Sequence, residues 1–208
     1  YGEVALVISW EAGEHRLLIR ARGGRASLVD LRLQETTAVV EEEALRRSGL
    51  EVLSVLSNTW LSLQDPRARF TEARPRLPGQ RWPGLGLARA FYLLMARWAH
   101  EWGKDAVLAT PEYFHNAVFY SPAFRFLSPE EQGRFEALRR DLRGLRLAAA
   151  SAAVDEGRVR DLVTGKVLHW RPGPMASPLS EGLTRALLGS DYDQAAGAAC
   201  GRARFAVG

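Results

Sequence analysis

Arg81-Trp82-Pro83-Gly84-Leu85-Gly86-Leu87-Ala88-Arg89 opens the longest apolar helical run in the chain, Leu85 to about Trp102. Two glycines placed two apart let a backbone approach a ligand without Cβ interference. The helix that follows begins with unpaired N–H groups and the positive end of its dipole, which suits a phosphate or pyrophosphate. A turn that needs glycine for geometry alone fits the same letters. On the far side of the helix, Asp105–Thr110 reads as a short apolar strand and Tyr113–Ser121 as a short helix. Ahead of the glycines, Asp65–Pro83 is rich in Arg and Pro and reads as an exposed connection. Within it only Phe70-Thr71-Glu72-Ala73 and Leu77 offer a strand leading into the turn.

Further out, Val4–Trp10, Arg16–Ala21 and Ser27–Leu33 alternate apolar and polar residues around the turn signals at 11–14 and Gly23-Gly24. They predict a three-stranded antiparallel meander. Residues 40–48 suit one or two helical turns ended by Gly49, and Leu50–Leu56 a buried strand. Downstream, Ser128-Pro129-Glu130-Glu131 is a helix start, with Ser128 as cap, Pro129 in the first turn and Glu131 completing a capping box. That helix is predicted to run to about Leu142 and to end at Gly144. Leu145–Val154, Val159–Leu162 and Lys166–Trp170 read as strands, and Ser180–Leu188 as the final helix. The small-residue tail is expected to close in a last strand near Ala203–Val207. Strands before, between and after helices predict one mixed-sheet α+β domain over 1–208: a strand-rich part at 1–64, the ligand-loop region at 77–127, and a helix–strand part at 128–208.

The chain has 208 residues, 47% of them apolar, which is ample for a core. Its net charge is +4, and Lys104 and Lys166 are the only lysines among 28 basic residues, as in a protein from a GC-rich, bacterial-type genome. The charge excess is modest and no DNA- or RNA-binding motif is present, so a nucleic-acid partner is not expected. No stretch has the apolar length of a membrane span. The single cysteine, Cys200, excludes an internal disulfide and a multi-thiolate zinc site and points to a reducing, cytoplasmic compartment. Its small-residue surroundings suggest a buried, inert thiol. His15, His100 and His169 share no ligand spacing, so no metal site is expected. The chain opens at Tyr1 inside an expected strand, as a trimmed or processed product would.

The densest chemistry lies in Pro111-Glu112-Tyr113-Phe114-His115-Asn116, at the end of the short strand beside the glycine turn. Strand ends beside a ligand loop often turn polar side chains toward a substrate. Each member has a plainer reading: a structural histidine at His115, a solvated or capping carboxylate at Glu112, a core aromatic at Tyr120. Trp82 either lines a channel or plugs the core beneath the loop.

Gln80-Arg81-Trp82-Pro83-Gly84-Leu85-Gly86-Leu87-Ala88 resembles the (Gln/Arg)-x-x-Gly-x-(Gly/Ala) pyrophosphate loop of the GNAT N-acetyltransferase superfamily, with Arg81, Gly84 and Gly86 at the motif positions. The order of loop, helix, strand and short helix with a tyrosine is similar too. Asn116-Ala117-Val118-Phe119-Tyr120, followed by Phe124-Arg125-Phe126, is similar to that family's tyrosine signature, without the glycine before the last Phe. The resemblance covers about 77–127. It implies a GNAT-like fold with a largely antiparallel central sheet flanked by helices. It also implies acetyl-CoA or another acyl-CoA as co-substrate, and transfer of the acyl group to an amine of an unread acceptor. Gln80, Arg81, Gly84, Leu85, Gly86, Leu87, Ala88 and Asn116 would then bind the coenzyme. Tyr120 would protonate the leaving sulfur, and His115 or Glu112 would be the base. Arg67, Arg69, Arg74 and Arg76 would be placed for the 3′-phosphate or an acidic substrate. A GNAT-like module that has lost catalysis and senses ligands or binds proteins is the alternative, and a homodimer is kept as a partner.

Overall fold

The computed structural model describes residues 2–24 and 26–208; Tyr1, expected inside a strand, lies outside them. Strands β1 (Val4–Glu11) and β2 (Glu14–Ala21) form a hairpin around Ala12-Gly13. Both turn residues have positive φ, 50° and 83°, as a two-residue turn matched to strand twist requires. Strands β3 (Ser27–Val39) and β4 (Val52–Leu63) continue the antiparallel meander, linked by the short helix α1 (Glu43–Arg47). Both strands outrun the apolar stretches that signal them, because each one's polar half is held by the other through main-chain pairing.

Helix α2 (Ala88–Glu101) starts later than the apolar run, since Gly86 is left-handed, with φ 74°. It buries Phe91, Met95 and Ala99, a stripe four residues apart, and leaves Leu93 55% exposed. It is therefore a one-faced surface helix, not one covered all round. Then come β5 (Ala106–Ala109), α3 (Phe114–Tyr120), β6 (Arg125–Phe126), α4 (Pro129–Asp141), α5 (Leu147–Asp155), β7 (Val159–Asp161), β8 (Met175–Pro178), α6 (Glu181–Leu187), α7 (Ser190–Arg202) and β9 (Phe205–Val207).

Seven strands make one sheet in the order β1-β2-β3-β4-β5-β8-β6, so the first sixty residues share it with the rest of the chain. Every neighbouring pair is antiparallel except β4 and β5, which run parallel. Strand alternation divides the core in two. Leu56, Val107 and Ala109 face a cluster filled by α2, α3, α4 and α5, whereas Val55, Ala106 and Leu108 face one filled by α1, α6 and α7. The expected α+β architecture, a mixed and mostly antiparallel sheet flanked by helices, is present.

Four sequence readings change. Leu145–Val154 is not a strand: residues from Leu147 onward form α5, because a run of alanines is the strongest helix former, and a short apolar run carries no period to separate the two. Lys166–Trp170 forms no strand, only an isolated bridge from Val167 to Arg160. Ser180–Leu188 is not the last helix, since α7 follows with Asp191 and Asp193 in its first turn and Arg202 in its last, charges that suit its dipole. Ser128 caps α4 by accepting the Glu131 N–H, but no capping box closes, because the Glu131 carboxylate instead accepts the Gly173 N–H at 2.9 Å.

Helices α4 and α7 pack through Gly133. A Cβ there would collide with the Ala196 carbonyl oxygen and lie 2.6 Å from Ala199 Cβ and 2.7 Å from the Cys200 nitrogen. Backbone cannot yield as a side-chain tip can, so Gly133→Ala should cost about 3 kcal/mol, at the upper end for overpacking. Urea unfolding would show it as a lower midpoint with an unchanged slope.

Candidate functional site

The single parallel pair defines the site. Strands β4 and β5 stay in register from Val55↔Ala106 to Asn58↔Ala109, where β5 ends. Strand β4 runs on to Leu63 with no strand on that side among the described residues, and a cavity of about 910 Å³ opens where the pair separates. Ligands commonly bind at the carboxyl ends of parallel strands where neighbours part. The Asn58 side-chain oxygen lies at this apex, buried and without a hydrogen-bond partner among the described residues.

The turn reaches the cavity by a detour. Gln64 and Gly84 form a bridge, Leu85 N–H donates to the Leu63 carbonyl at 3.1 Å, and Asp65 N–H donates to the Pro83 carbonyl at 2.8 Å. Residues 65–83 thus leave and return at one point. The strand feeding the glycine turn is β4 itself, not Phe70–Ala73 or Leu77. Gln64 closes the base further, its side-chain oxygen accepting the N–H groups of Arg81 and Trp82 at 3.3 and 3.0 Å. The excursion lies against the far wall at Gly79, where a Cβ would come within 2.6 Å of the Tyr113 ring.

Helix α2 starts without a side-chain cap. Its first main-chain bond is Phe91 N–H to the Leu87 carbonyl, and the N–H groups of Gly86 to Ala90 meet no main-chain acceptor among the described residues. Gly84, Leu85, Gly86, Leu87 and Ala88 all line the cavity, as does Gln80. Arg81 does not: its guanidinium lies over the Trp82 ring, 4.4 Å from the centroid, and Trp82 is also outside the lining. Among the four arginines before the turn only Arg74 lines the cavity, and it donates to the Gly84 carbonyl. Arg76 lies over the Phe70 ring and donates to the Gln80 carbonyl at 2.7 Å.

Opposite the turn, Glu112, His115, Asn116 and Tyr120 line the same cavity. The Asn116 side-chain oxygen accepts the Tyr113 N–H at 3.0 Å, so it secures the start of α3. Tyr120 is half-buried, its hydroxyl has no hydrogen-bond partner among the described residues, and burial raises its pKa. Glu112 is exposed, and burial and then the neighbouring Glu112 carboxylate raise the Tyr113 pKa.

His115 is only 3% exposed, its Nδ1 is 2.8 Å from the Ser151 hydroxyl, and Tyr113 and Phe119 pack on the ring. Burial pushes its pKa down to about 4. Between pH 6.5 and 4 the unfolded chain takes up a proton here that the folded one refuses, so this contribution is complete above pH 6.5 and is lost as pH falls toward 4. The loss should reach about 3 kcal/mol at the acid end. Urea unfolding at pH 7 and 4.5 should show that loss in the wild type and a clearly smaller one in His115→Gln.

Sequence reading missed Asn58, Trp60 and Ser62 on β4, and Arg146 with Leu147 at the start of α5. Ser57, Asn58 and Thr59 are three polar residues in a row, so no alternation marks that end of β4. No signal in the sequence pointed to Arg146. Neither Arg89 nor Arg146, both in the lining, forms an ion pair among the described residues. Elsewhere, Cys200 is half-buried, not fully buried, with the Arg140 guanidinium 3.6 Å from its sulfur. Among the described residues no three His, Cys, Asp or Glu side chains gather as a metal site. No helix among them is long and apolar enough to cross a membrane. No protein-family model, curated protein or solved structure matches this chain.

Proposed function

We propose that this chain is a GNAT-like acyltransferase that moves an acyl group from a coenzyme A thioester to an amine. One observation carries the reading. The strand β4, the glycine turn, the uncapped start of α2, β5 and the Tyr120 helix follow one another in the order of the resemblance, and all but β5 border one cavity, which Thr110 reaches just past the end of β5. The residues present fit the ligand. Free N–H groups from Gly86 to Ala90 would bind the pyrophosphate. The edge of β4 from Thr59 to Ser62, which pairs with no strand among the described residues on the side β5 has left, offers main-chain partners to an extended amide-bearing arm. Arg89 and Arg146 supply positive charge for the remaining phosphate or an acidic acceptor.

The chemistry needs three proton movements. The acceptor ammonium loses a proton to become a nucleophile, and its nitrogen then attacks the thioester carbon. The C–N bond forms, the nitrogen sheds its second proton to solvent, the C–S bond breaks, and the departing thiolate needs a proton. Tyr120, held protonated by burial and with a free hydroxyl, donates that proton and is recharged from solvent. Glu112, exposed at the rim, accepts the ammonium proton directly or through water. His115 is a weak proton acceptor, because burial favours its neutral form down to about pH 4. It holds α3 against α5.

Incubation with acetyl-CoA and a panel of amines, read by release of the free thiol, tests the reading. Amine-dependent release supports it. Tight coenzyme binding without release from any acyl-CoA would favour a ligand-sensing module.

A further inference from the structure

Residues 65–83 are unnecessary for connecting β4 to α2, since Gln64 and Gly84 already touch. Something else accounts for a detour tied at its base and rested on Tyr113 at Gly79. Its side chains are partly sorted. Phe70, Leu77 and three prolines line the cavity beside Glu72, Arg74 and Gln80, while Arg67, Arg69, Arg76 and Arg81 are outside the lining. The Arg76 guanidinium covers the Phe70 ring, 5.8 Å from its centroid. A loop with five arginines therefore brings one of them to the cavity and adds apolar wall at Phe70 and Leu77.

Apolar surface also begins where the reacting carbonyl would sit. Trp60 is two residues beyond Asn58 on β4, and Phe119 directly precedes Tyr120 on α3. Both line the cavity, yet they are 48% and 50% exposed. Large aromatics left half in water inside a concave site are ligand surface more often than core. An acetyl group would cover almost none of it.

The geometry points to a medium- or long-chain acyl thioester as the donor, its hydrocarbon chain lying between Trp60 and Phe119 and walled by Phe70 and Leu77 of the excursion. This rests on the acyl-CoA reading above. The ligand is then amphipathic in the same sense as the site: anionic where α2 begins, apolar beyond the apex at Asn58. Each buried methylene strengthens binding by roughly fourfold at full burial, so even partial burial of a twelve-carbon chain gives a large preference.

The test is calorimetric titration of the whole chain with coenzyme A, acetyl-CoA, octanoyl-CoA and dodecanoyl-CoA, each below its critical micelle concentration. Affinity should rise along the series, by about 100-fold or more from acetyl to dodecanoyl. In Phe70→Ala and Leu77→Ala, the dodecanoyl-to-acetyl affinity ratio should fall about tenfold. Equal affinity of the wild type for all four would overturn the acyl wall and leave the coenzyme reading standing. A wild-type rise unchanged in both variants would place the chain elsewhere and overturn the role of the excursion. No binding of any of the four would overturn the coenzyme reading itself. The wild-type series decides the donor class even if a variant fails to fold.

Discussion

Replacing Tyr120 by phenylalanine is expected to lower kcat for acyl transfer by about 100-fold while changing the affinity for acyl-CoA by less than about threefold. The substitution removes one oxygen and keeps the ring, which packs against Phe124 with centroids 5.5 Å apart. Since the Tyr120 hydroxyl bonds no protein group among the described residues, the fold loses no hydrogen bond with it. Thermal stability should therefore stay within a degree or two. Burial holds the phenol protonated at neutral pH, the state a proton donor needs. The effect should weaken for acyl donors whose leaving thiol is more acidic, because such a thiolate departs with less help. An unchanged kcat would remove Tyr120 from the proton path.

The second large effect is at the turn. Gly86→Val should reduce coenzyme A binding by about 100-fold or more, because Gly86 has a φ of 74°, where a β-branched residue is strongly disfavoured. Relaxing that strain reorients the N–H groups of Gly86, Leu87 and Ala88, which the proposed pyrophosphate needs as a set. Gly84 is different. Its φ is not left-handed, and a Cβ would meet only the Leu63 carbonyl oxygen at 3.6 Å, an ordinary contact. Gly84→Ala should therefore be at least tenfold milder than Gly86→Ala in the same titration. Equal losses in the two alanine variants would mean that backbone geometry at Gly86 is not what holds the ligand.

The sequence shows these two glycines as one motif, and only the backbone separates their roles. Much else near the turn was legible. The Leu85–Trp102 run, the 105–110 strand and the Tyr113–Ser121 helix all reappear within a few residues as α2, β5 and α3, because their apolar spacing and turn residues agree locally. The strand feeding the turn was not legible. Its polar end, Ser57 to Gln64, is held by pairing with β3 and by the bridge to Gly84, contacts distant in sequence. Arg81 shows the opposite failure. Its motif position suggested a phosphate ligand, yet the Trp82 face captures its guanidinium outside the cavity. Alanine-rich segments at 147–155 and 190–202 misled for another reason: their helical face is marked by size, not by polarity, so no amphipathic period appears.

The most direct measurement is amide-resolved NMR of uniformly labelled protein titrated with coenzyme A. The account predicts saturable shifts, largest for the N–H groups of Gly86 through Ala90 and for β4 from Thr59 to Leu63. Absence of saturable shifts, or shifts confined to residues away from the α2 start and the free edge of β4, would contradict it.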